Sequence, residues 1–356
     1  MRFSSKFSSG LIFSMEKKDI KDFTIEELRK ELNKIREASY RAGQIFDWIY
    51  KKGACDFSGM SNMPAPLRDK LGRIYDFGNI KLKDRLESCD GTEKFLFELS
   101  DGCFIETVFI SSGDRNTVCL STQVGCKYAC VFCASGTKGF IRNLTVSEIL
   151  GQVLFLQHNL GLNMTNFVFM GMGEPFDNYA NLSKAILIMN STEALGIGAR
   201  RITVSTCGVI PGIEKLKRLG IQVNLSISLH AADNKLRNAL VPINKIYPLE
   251  KLIAACKDYM GEAGRMITLE YILIKGKNDS SKDAAELSRI ALDLKAKVNL
   301  IPYSPVPGKK FKEPSRKDMQ EFKEALVKHR VNAIVRESKG KDIQAACGQL
   351  AMRETS

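Results

Sequence analysis

Six short apolar runs recur along the 356-residue chain from about residue 116 onward, and helical patterns separate most of them. Buried strands that alternate with helices form right-handed βαβ units around a parallel sheet. We therefore expect an α/β fold, an open or partial (β/α)6, TIM-like barrel. The apolar runs span residues 117–122, 166–171, 201–206, 223–229, 266–274 and 297–303. The helical patterns span residues 145–160, 179–190, 210–219, 248–262 and 280–295.

Chemically unusual residues follow most of the apolar runs. GCKYACVFC (125–133) comes after the first run, GMGEP (171–175) after the second and CGVIP (207–211) after the third. The fourth run leads into Ser-Leu-His at 228–230, and the sixth leads into Tyr-Ser-Pro at 303–305. The carboxyl ends of parallel strands meet at one rim of such a barrel, where its chemistry is found. We therefore expect these residues to share one site.

The first 95 residues differ in pattern from the rest of the chain. Helices are predicted over 25–38, 41–53 and 63–77, and a β-hairpin is predicted over 93–110. Basic residues accompany aromatic ones in these helices, which fits either an RNA contact surface or the solvated face of a small bundle. The expected divisions are a disordered tail over 1–15, an RNA-binding accessory domain over 16–95, a core over 96–345 that includes the hairpin, and a C-terminal segment over 346–356.

The composition limits the partners and the compartment. The formal net charge is +13, and this excess of Lys and Arg favours a polyanionic partner, because neutralised phosphates release counterions. No apolar stretch of about 18 residues is present, so we expect no membrane span. The ten cysteines are too sparse for a secreted disulfide scaffold. We expect a cytoplasmic, reducing compartment, in which clustered cysteines serve metal or redox chemistry.

Three closely spaced cysteines carry the most specific chemical signal. Cys126, Cys130 and Cys133 form a C-x3-C-x2-C loop, and soft thiolates of this kind suit an iron–sulfur cluster. Three protein ligands leave one iron of a 4Fe–4S cluster open to a chelating molecule, as in catalytic metal sites. S-adenosylmethionine fills that position in radical enzymes. Two alternatives remain open, a zinc site with Cys119 as fourth ligand and an accidental cluster of core cysteines.

The sequence GMGEP is a second candidate contact with such a cofactor. Gly171 and Gly173 permit close approach of the backbone, and the Glu174 carboxylate can accept a hydrogen bond from the ammonium group of a methionine. Glycine-rich turns after strands are common, so this sequence carries weight only beside the cysteine loop.

Segments spread over nearly the whole chain match the pattern of one family. These segments are RAGQIFDWIYKKG, GTEKFLFEL, CLSTQVGCKYACVFCASG, FMGMGEP, RITVSTCGVIP, SISLHA, PIN, NLIPYSP and AACGQL. Together they resemble the RlmN family of adenine-C2 RNA methyltransferases, whose close relative is Cfr. The resemblance implies a radical S-adenosylmethionine barrel with a small N-terminal accessory domain, helical or α+β.

The resemblance also implies roles for individual residues. Cys347 matches a cysteine that is methylated during the reaction, Cys119 its partner in a transient disulfide, and Glu106 a proton acceptor. Without the resemblance, the two cysteines would be interpreted as core thiols and Glu106 as a solvent-facing strand residue. The matched cluster ligands are Cys126, Cys130 and Cys133. The matched S-adenosylmethionine positions are Gly173, Glu174, Ser205, Ser228, Leu229, His230 and Ser304. At position 304 the family has Asn, so Ser304 departs from the pattern.

The expected activity follows from the resemblance. A methyl group passes from S-adenosylmethionine to Cys347, and from there to C2 of an adenosine in 23S ribosomal RNA. An adenosine next to the anticodon of transfer RNA is a further expected substrate. The resemblance implies one 4Fe–4S cluster per chain and two S-adenosylmethionine molecules per turnover. It also implies an electron donor such as flavodoxin or ferredoxin, and a monomer.

Three other functions remain open from the sequence. A Cfr-type enzyme would methylate C8 of adenine, and a different radical enzyme, such as an activase, would not need Cys347. A non-catalytic protein that binds zinc and nucleic acid would hold no iron cluster. The basic segment 309–341 is expected either to contact RNA phosphates or to form a solvated helix face.

Overall fold

Strands and helices alternate along most of the chain, as the sequence pattern predicts. The computed structural model describes residues 17–137 and 139–351, so the tail expected over 1–15 lies outside the described residues. The strands are β1 (Lys18–Asp19), β2 (Tyr75–Asp76), β3 (Lys81–Glu87), β4 (Thr92–Glu98), β5 (Phe104–Ile110), β6 (Thr117–Cys119), β7 (Gln123–Gly125), β8 (Phe140–Asn143), β9 (Asn166–Phe169), β10 (Ile202–Thr206), β11 (Asn224–Ser228), β12 (Thr268–Leu273), β13 (Lys297–Pro302) and β14 (Ala333–Val335). The helices are α1 (Ile25–Lys34), α2 (Arg41–Phe46), α3 (Ala65–Ile74), α4 (Val146–Leu154), α5 (Tyr179–Asn190), α6 (Ile210–Lys217), α7 (Asn234–Leu240), α8 (Leu249–Ala263), α9 (Ser281–Asp293) and α10 (Arg316–Lys328).

A ten-stranded sheet, in the order β14-β13-β12-β11-β10-β9-β6-β5-β4-β3, forms the frame of the described residues. Strands β6 and β9 to β14 pair in parallel and follow chain order, whereas β3 to β6 pair antiparallel. Each predicted apolar run contains one of the parallel strands, which confirms the partial barrel. The edge strand β14 was not predicted, because three residues are too few to show a periodicity.

Helix α9 illustrates how the local sequence builds the outer layer. Ser280 accepts a hydrogen bond from the Asp283 amide, and the Asp283 carboxylate accepts one from the Ser280 amide, so the helix begins at a capping box. Ala284, Leu287 and Ala291 recur at helical spacing and are buried. Burial of a leucine side chain of this kind stabilises the fold by about 1.5–3 kcal/mol. The helix therefore forms where both its cap and its apolar face require it.

Helices α1 to α3 form an N-terminal unit in which Leu28, Ile45 and Leu71 are fully buried, and these side chains join the same apolar core as the barrel. Helix α2 continues as a π-helical turn over Asp47–Lys51. The predicted hairpin is confirmed by β4 and β5, and β3 pairs with β4 on its other side. The boundary expected at residue 95 falls inside β4. The strand pairing places the main sheet's first edge at β3, after the helical unit.

The chain after β14, residues 336–351, connects the two edges of the open sheet. The segment leaves β14 with the Arg336 amide donating to the Leu300 carbonyl oxygen at 2.8 Å, beside β13. Farther along, the Gly340 amide donates to Asp90 at 3.0 Å, in the turn between β3 and β4. Asp342 then accepts a hydrogen bond from the Ser88 hydroxyl at 2.5 Å. The segment thus bridges the gap between β14 and the turn before β4. It makes hydrogen bonds near both edges of the sheet.

A fully buried arginine ties together the carboxyl ends of β10 and β11. Arg237 of α7 donates to the carbonyl oxygens of Cys207 at 2.7 Å and Leu229 at 3.0 Å, and to Asn244 Oδ1 at 2.8 Å. Burial lowers the pKa of Arg237, although a guanidinium stays charged in proteins. The charged fork therefore fixes the rim on which the site is built.

Replacing Arg237 with leucine is expected to lower the free energy of unfolding by about 3 kcal/mol or more, because buried oxygens lose a charged donor. Lys235→Leu is the matched control, since Lys235 is an exposed residue of the same helix. That variant should change stability by less than about 0.5 kcal/mol. Urea denaturation of both variants measures the difference, and equal stabilities would contradict the role given to Arg237.

In the described residues, no helix is both long and apolar enough to span a bilayer.

Candidate active site

The pleat of the main sheet turns a row of polar side chains to one face. Residues two apart on a strand share a face, and so do registered neighbours on adjacent strands. Ser228, for example, pairs with Glu270, which pairs with Asn299. The same-face row comprises Glu106, Cys119, Ser205, Ser228, Glu270, Asn299 and Arg336. Most of these side chains border two adjoining cavities.

The backbone holds the cysteine loop in a tight conformation. Gly125 has a φ of +75°, and a Cβ atom there would lie 1.9 Å from the Gly139 carbonyl oxygen, so only glycine fits. The Cys126 amide donates to that oxygen at 3.0 Å. Ala129 has a left-handed φ of +49°, and a Cβ atom at Gly136 would lie 2.8 Å from its Cα. These contacts fix the path of the chain between the cysteines.

All three cysteines of the loop border one cavity of about 150 Å³, here called the cysteine-loop cavity. Burial raises the pKa of Cys126 to about 12 and raises that of Cys130 well above its usual range, and Cys133 adds to both shifts. Such thiols lose their protons when a metal binds. Among the described residues, no three side chains converge tightly enough to hold a single metal ion. The soft thiols surround a shared space, as a cluster requires.

The structure places most of the predicted cofactor residues around this cavity. Leu229 and Ser304 are not among the described residues that border it. Leu229 is buried, and its amide donates to the Glu270 carbonyl oxygen at 3.0 Å. Ser304 is also buried, and its hydroxyl has no hydrogen-bond partner within the described part of the chain. For both residues a cofactor contact stays a prediction. The predicted residues that do border the cavity are Gly173, Glu174, Ser205, Ser228 and His230.

Glu174, in the loop after β9, accepts hydrogen bonds from two main-chain amides. Its carboxylate accepts from the Phe176 amide at 3.0 Å and from the Cys207 amide at 2.8 Å, and burial raises its pKa. A carboxylate has further lone pairs, so an ammonium group can still be accepted. Gly173 has a φ of +97°, and a Cβ atom there would lie 2.5 Å from the Gln123 Cβ. The glycine is therefore required by packing against β7, a reason that the sequence did not reveal.

His230 is a neutral histidine at the end of β11. Its Nδ1 accepts a hydrogen bond from the Ile272 amide at 3.0 Å, so its proton lies on Nε2. Burial lowers the pKa of His230 to about 3. The ring packs edge-on against Phe132 of the cysteine loop, with the ring centroids 4.9 Å apart. His230 is thus both a satisfied buried histidine and part of the cavity wall.

A second cavity, of about 300 Å³, adjoins the first. We call it the Arg336 cavity, and Arg115, Cys119 and Lys339 also border it. The walls shared by the two cavities are Met170, Ile301 and Cys347. Cys347 is therefore accessible from both sides, and it is no buried core thiol.

The segment that carries Cys347 is held on several sides. Toward the cysteine loop, its Gly348 carbonyl oxygen accepts from the Ala134 amide at 2.7 Å. Toward the sheet, the Ala351 amide donates to Glu106 at 2.6 Å, and Glu106 forms an ion pair with Lys94 at 3.0 Å. Glu106 is buried, so its interpretation as a solvent-facing residue is wrong. Among the described residues it borders neither cavity, and its contact with the segment is the hydrogen bond from Ala351.

Cys119 and Cys347 meet at the Arg336 cavity as thiols. The pKa of Cys119 is raised to about 12, mainly by burial, and the nearby Cys347 contributes to that rise. Dense packing likewise raises the pKa of Cys347, while Arg336 lowers it. All ten cysteines of the chain lie in the described ranges and are free thiols. The structure therefore shows the reduced state, without the expected disulfide between Cys119 and Cys347.

Comparison with known proteins agrees with this geometry. Residues 120–288 match the Radical SAM superfamily, and residues 18–76 match the ribosomal RNA large subunit methyltransferase N-terminal domain. A probable dual-specificity RNA methyltransferase RlmN of Clostridium novyi is 43% identical over 335 residues, which cover 94% of this chain and 97% of the relative. The relative of the same name from Caldicellulosiruptor saccharolyticus is 44% identical, with coverage of 95% and 98%.

The chain belongs to the RlmN family. The crystal structure of a radical SAM methyltransferase from Sphaerobacter thermophilus agrees, with a TM-score of 0.89, 44% identity and coverage of 94% of this chain and 99% of that one. Membership in the RlmN family makes the chain a radical S-adenosylmethionine methyltransferase. It implies a 4Fe–4S cluster and S-adenosylmethionine, which the soft thiols and polar walls of the cysteine-loop cavity fit.

Three site residues of this RlmN-family enzyme escaped the sequence analysis. Glu270 is the one charged residue within the apolar run MITLEYILI. A charge within a buried strand indicates a partner or a function, so the sequence does mark this residue. Lys94 precedes the apolar run of β4, but its ion pair with Glu106 depends on the pairing of β4 with β5. Arg336 follows the short strand β14, and nothing in the local sequence marks it.

Replacing Lys94 with methionine is expected to lower the free energy of unfolding by about 3–5 kcal/mol, because the buried Glu106 carboxylate loses the positive charge of Lys94. The side chains of this pair are only 6% and 3% exposed. Lys83→Met is the matched control in the same hairpin, since the Lys83–Glu98 pair is 43% and 26% exposed. It should cost less than about 1 kcal/mol. Chemical denaturation compares the two, and adding Glu106→Gln to Lys94→Met should recover stability. Equal losses in both single variants would contradict the account.

Proposed function

We propose that this RlmN-family enzyme methylates C2 of an adenosine in 23S ribosomal RNA, and of an adenosine next to the anticodon of transfer RNA, through a methylated Cys347. The observation that carries the proposal is the position of Cys347 on the wall between the two cavities. A residue that carries a methyl group must face the donor on one side and the acceptor on the other. The relatives named dual-specificity RNA methyltransferases support RNA as the acceptor.

The cysteine-loop cavity is the proposed donor side. One 4Fe–4S cluster, when bound and reduced by a donor such as flavodoxin or ferredoxin, supplies the electron that cleaves S-adenosylmethionine to a 5′-deoxyadenosyl radical. Glu174 is proposed to accept from the cofactor's ammonium group, and Leu229 and Ser304 to complete the cofactor site. The proposed cluster ligands are Cys126, Cys130 and Cys133. The proposed contacts on the cavity wall are Gly173, Glu174, Ser205, Ser228 and His230.

Cys347 acts first as a nucleophile in this proposal. Its thiolate attacks the methyl group of one S-adenosylmethionine, so that a sulfur–carbon bond forms at Cys347 and S-adenosylhomocysteine leaves. Burial raises the pKa of Cys347, and the positive charge of Arg336 opposes that rise, which favours the thiolate relative to a site without the arginine. A second S-adenosylmethionine serves radical formation, so two are used per turnover. The 5′-deoxyadenosyl radical would take a hydrogen atom from the Cys347 methyl group and become 5′-deoxyadenosine. The remaining methylene carbon would then bond to C2 of the base.

Cys119 and Glu106 are proposed to complete the transfer. Glu106 would accept the proton that C2 loses, while the unpaired electron of the adduct returns to the oxidised cluster. Cys119 would then attack the Cys347 sulfur, which breaks the bond from that sulfur to the transferred carbon, and this carbon takes up a proton to become the methyl group. The disulfide that results returns to two thiols by reduction in each turnover. The meeting of both thiols at the Arg336 cavity supports this pairing. For Glu106 the support is its hydrogen bond to Ala351, close to Cys347 in the chain.

The Arg336 cavity is the proposed acceptor side. Its volume of about 300 Å³ lies within the range of small-ligand sites, and Arg115, Arg336 and Lys339 give it positive charge. A target base must leave its stack to enter such a cavity. The net charge of +13 favours RNA along the remaining surface, including the N-terminal helices and segment 309–341. The enzyme is proposed to act as a monomer.

The variant Cys347→Ala is expected to lose RNA methylation by at least about a thousand-fold, because the methyl carrier is gone. Its iron content should equal that of the unchanged protein. The assay is oxygen-free turnover on ribosomal RNA fragments, followed by mass spectrometry of the nucleosides. Cys55→Ala, which removes an exposed thiol of the N-terminal unit, is the matched control and should keep full activity.

Two results would contradict the proposed function. Methylation that persists in Cys347→Ala would exclude the carrier role. A product that contains 8-methyladenosine in place of 2-methyladenosine would reassign the enzyme to Cfr-type chemistry.

A further inference from the structure

Glu270 is a buried carboxylate that the proposed reaction does not use. It lies on β12 in the same-face row, with 3% of its surface exposed. The Ser226 hydroxyl donates to its Oε1 at 3.1 Å, and the Asn299 amide group donates to the same atom at 3.0 Å. These two donors fix the direction in which the carboxylate points.

The other carboxylate oxygen, Oε2, is buried and has no hydrogen-bond partner among the described residues. A buried polar atom without a partner costs free energy, and more so when it can carry charge. Burial accordingly raises the pKa of Glu270, while Arg336 and the two donors act against that rise. Glu270 borders the cysteine-loop cavity, so a bound molecule in that cavity can supply the missing donor.

The two carboxylates of the cavity stand at different ends of it. The Glu174 amide donates to Gln123 of β7 at 2.8 Å, close to the start of the cysteine loop, and the Glu174 carboxylate accepts from the Cys207 amide after β10. Glu270 lies two strands farther along the sheet, on β12, between Ser226 of β11 and Asn299 of β13. This is the side of the sheet on which the segment that carries Cys347 leaves β14, and besides burial Glu270 also raises the pKa of Cys347. The cavity therefore has a cluster end, marked by Glu174, and a methyl-carrier end, marked by Glu270.

The proposed function fixes how S-adenosylmethionine must lie between these ends. Its amino and carboxylate groups would bind at the cluster that Cys126, Cys130 and Cys133 would hold, so the methionine part belongs at the cluster end. Its 5′ carbon must face the Cys347 methyl group, so the ribose belongs at the methyl-carrier end. The ribose hydroxyls are the hydrogen-bond donors nearest to that carbon. Ser228, the registered neighbour of Glu270 on β11, adds a second polar group on the same face.

We infer that Glu270 is a specificity-determining residue for the cofactor, and that its Oε2 accepts a hydrogen bond from a ribose hydroxyl of S-adenosylmethionine. This inference rests on the proposed function, because the orientation of the cofactor comes from it. Glu270 holds the adenosyl group in register with Cys347, while Ser226 and Asn299 hold Glu270.

The test compares cofactor binding rather than turnover. Cluster-reconstituted protein and its Glu270→Gln variant are titrated without oxygen by equilibrium dialysis. The ligands are S-adenosylmethionine and its 2′-deoxy and 3′-deoxy derivatives. Gln keeps an oxygen for Ser226 and Asn299 and replaces the free acceptor with an amide group. The unchanged protein should bind at least one deoxy derivative about ten- to hundred-fold more weakly than S-adenosylmethionine. Glu270→Gln should bind S-adenosylmethionine and that derivative with nearly equal affinity.

A matched control separates this role from a general effect on the fold. Glu98→Gln changes a carboxylate of β4 that forms an ion pair with Lys83 outside the cavity, and it should behave as the unchanged protein does. Iron content and thermal unfolding of the variants show that the cluster and the fold persist. If Glu270→Gln discriminates against the deoxy derivatives as strongly as the unchanged protein does, the inference is wrong. If the unchanged protein binds no S-adenosylmethionine at all, the proposed function fails instead.

Discussion

The alternation of side chains along paired strands is the constraint on which the site depends. Once the strands pair in their observed register, Cys119, Ser228, Glu270 and Arg336 must all point to one face. The other face of the parallel strands carries the apolar side chains that pack under the helices. A slip of one residue in any strand would exchange these two sets. The polar side chains would then face the helices, and the apolar side chains would face the cavities. The catalytic layer and the stability of the barrel therefore share one cause.

The C-terminal segment adds the part that the sheet alone cannot supply. Residues after β14 cross from one edge of the open sheet to the other and carry Cys347 to the boundary of the two cavities. Glu106, which is paired with Lys94, accepts a hydrogen bond from Ala351 of this segment. Ala134 of the cysteine loop donates another to the Gly348 carbonyl oxygen. A reactive thiol near the end of a chain is thus placed as firmly as one on a strand, because its position is fixed by hydrogen bonds to several elements.

The sequence predicts the frame of this enzyme well, because buried parallel strands and amphipathic helices differ in period and most of the apolar runs that hold the parallel strands are long enough to show it, the edge strand β14 excepted. The cysteine loop was also predictable, since the spacing of Cys126, Cys130 and Cys133 is local. Contacts between distant segments were not. The bond from Glu106 to Ala351 and the packing of Gly173 against Gln123 join residues whose proximity no local pattern encodes. The position of Cys347 between two cavities is a property of the assembled barrel, and resemblance alone had singled that residue out.

The central claim is that three thiolates hold a 4Fe–4S cluster whose remaining iron binds the methionine end of S-adenosylmethionine. Electron–nuclear double resonance on the reduced, oxygen-free protein tests it most directly, with S-adenosylmethionine labelled with ¹⁵N at the amino group and ¹⁷O at the carboxylate. The account predicts hyperfine coupling from both labels to the cluster. A cluster spectrum without coupling from either label, or a loop that holds zinc in place of iron, would contradict it.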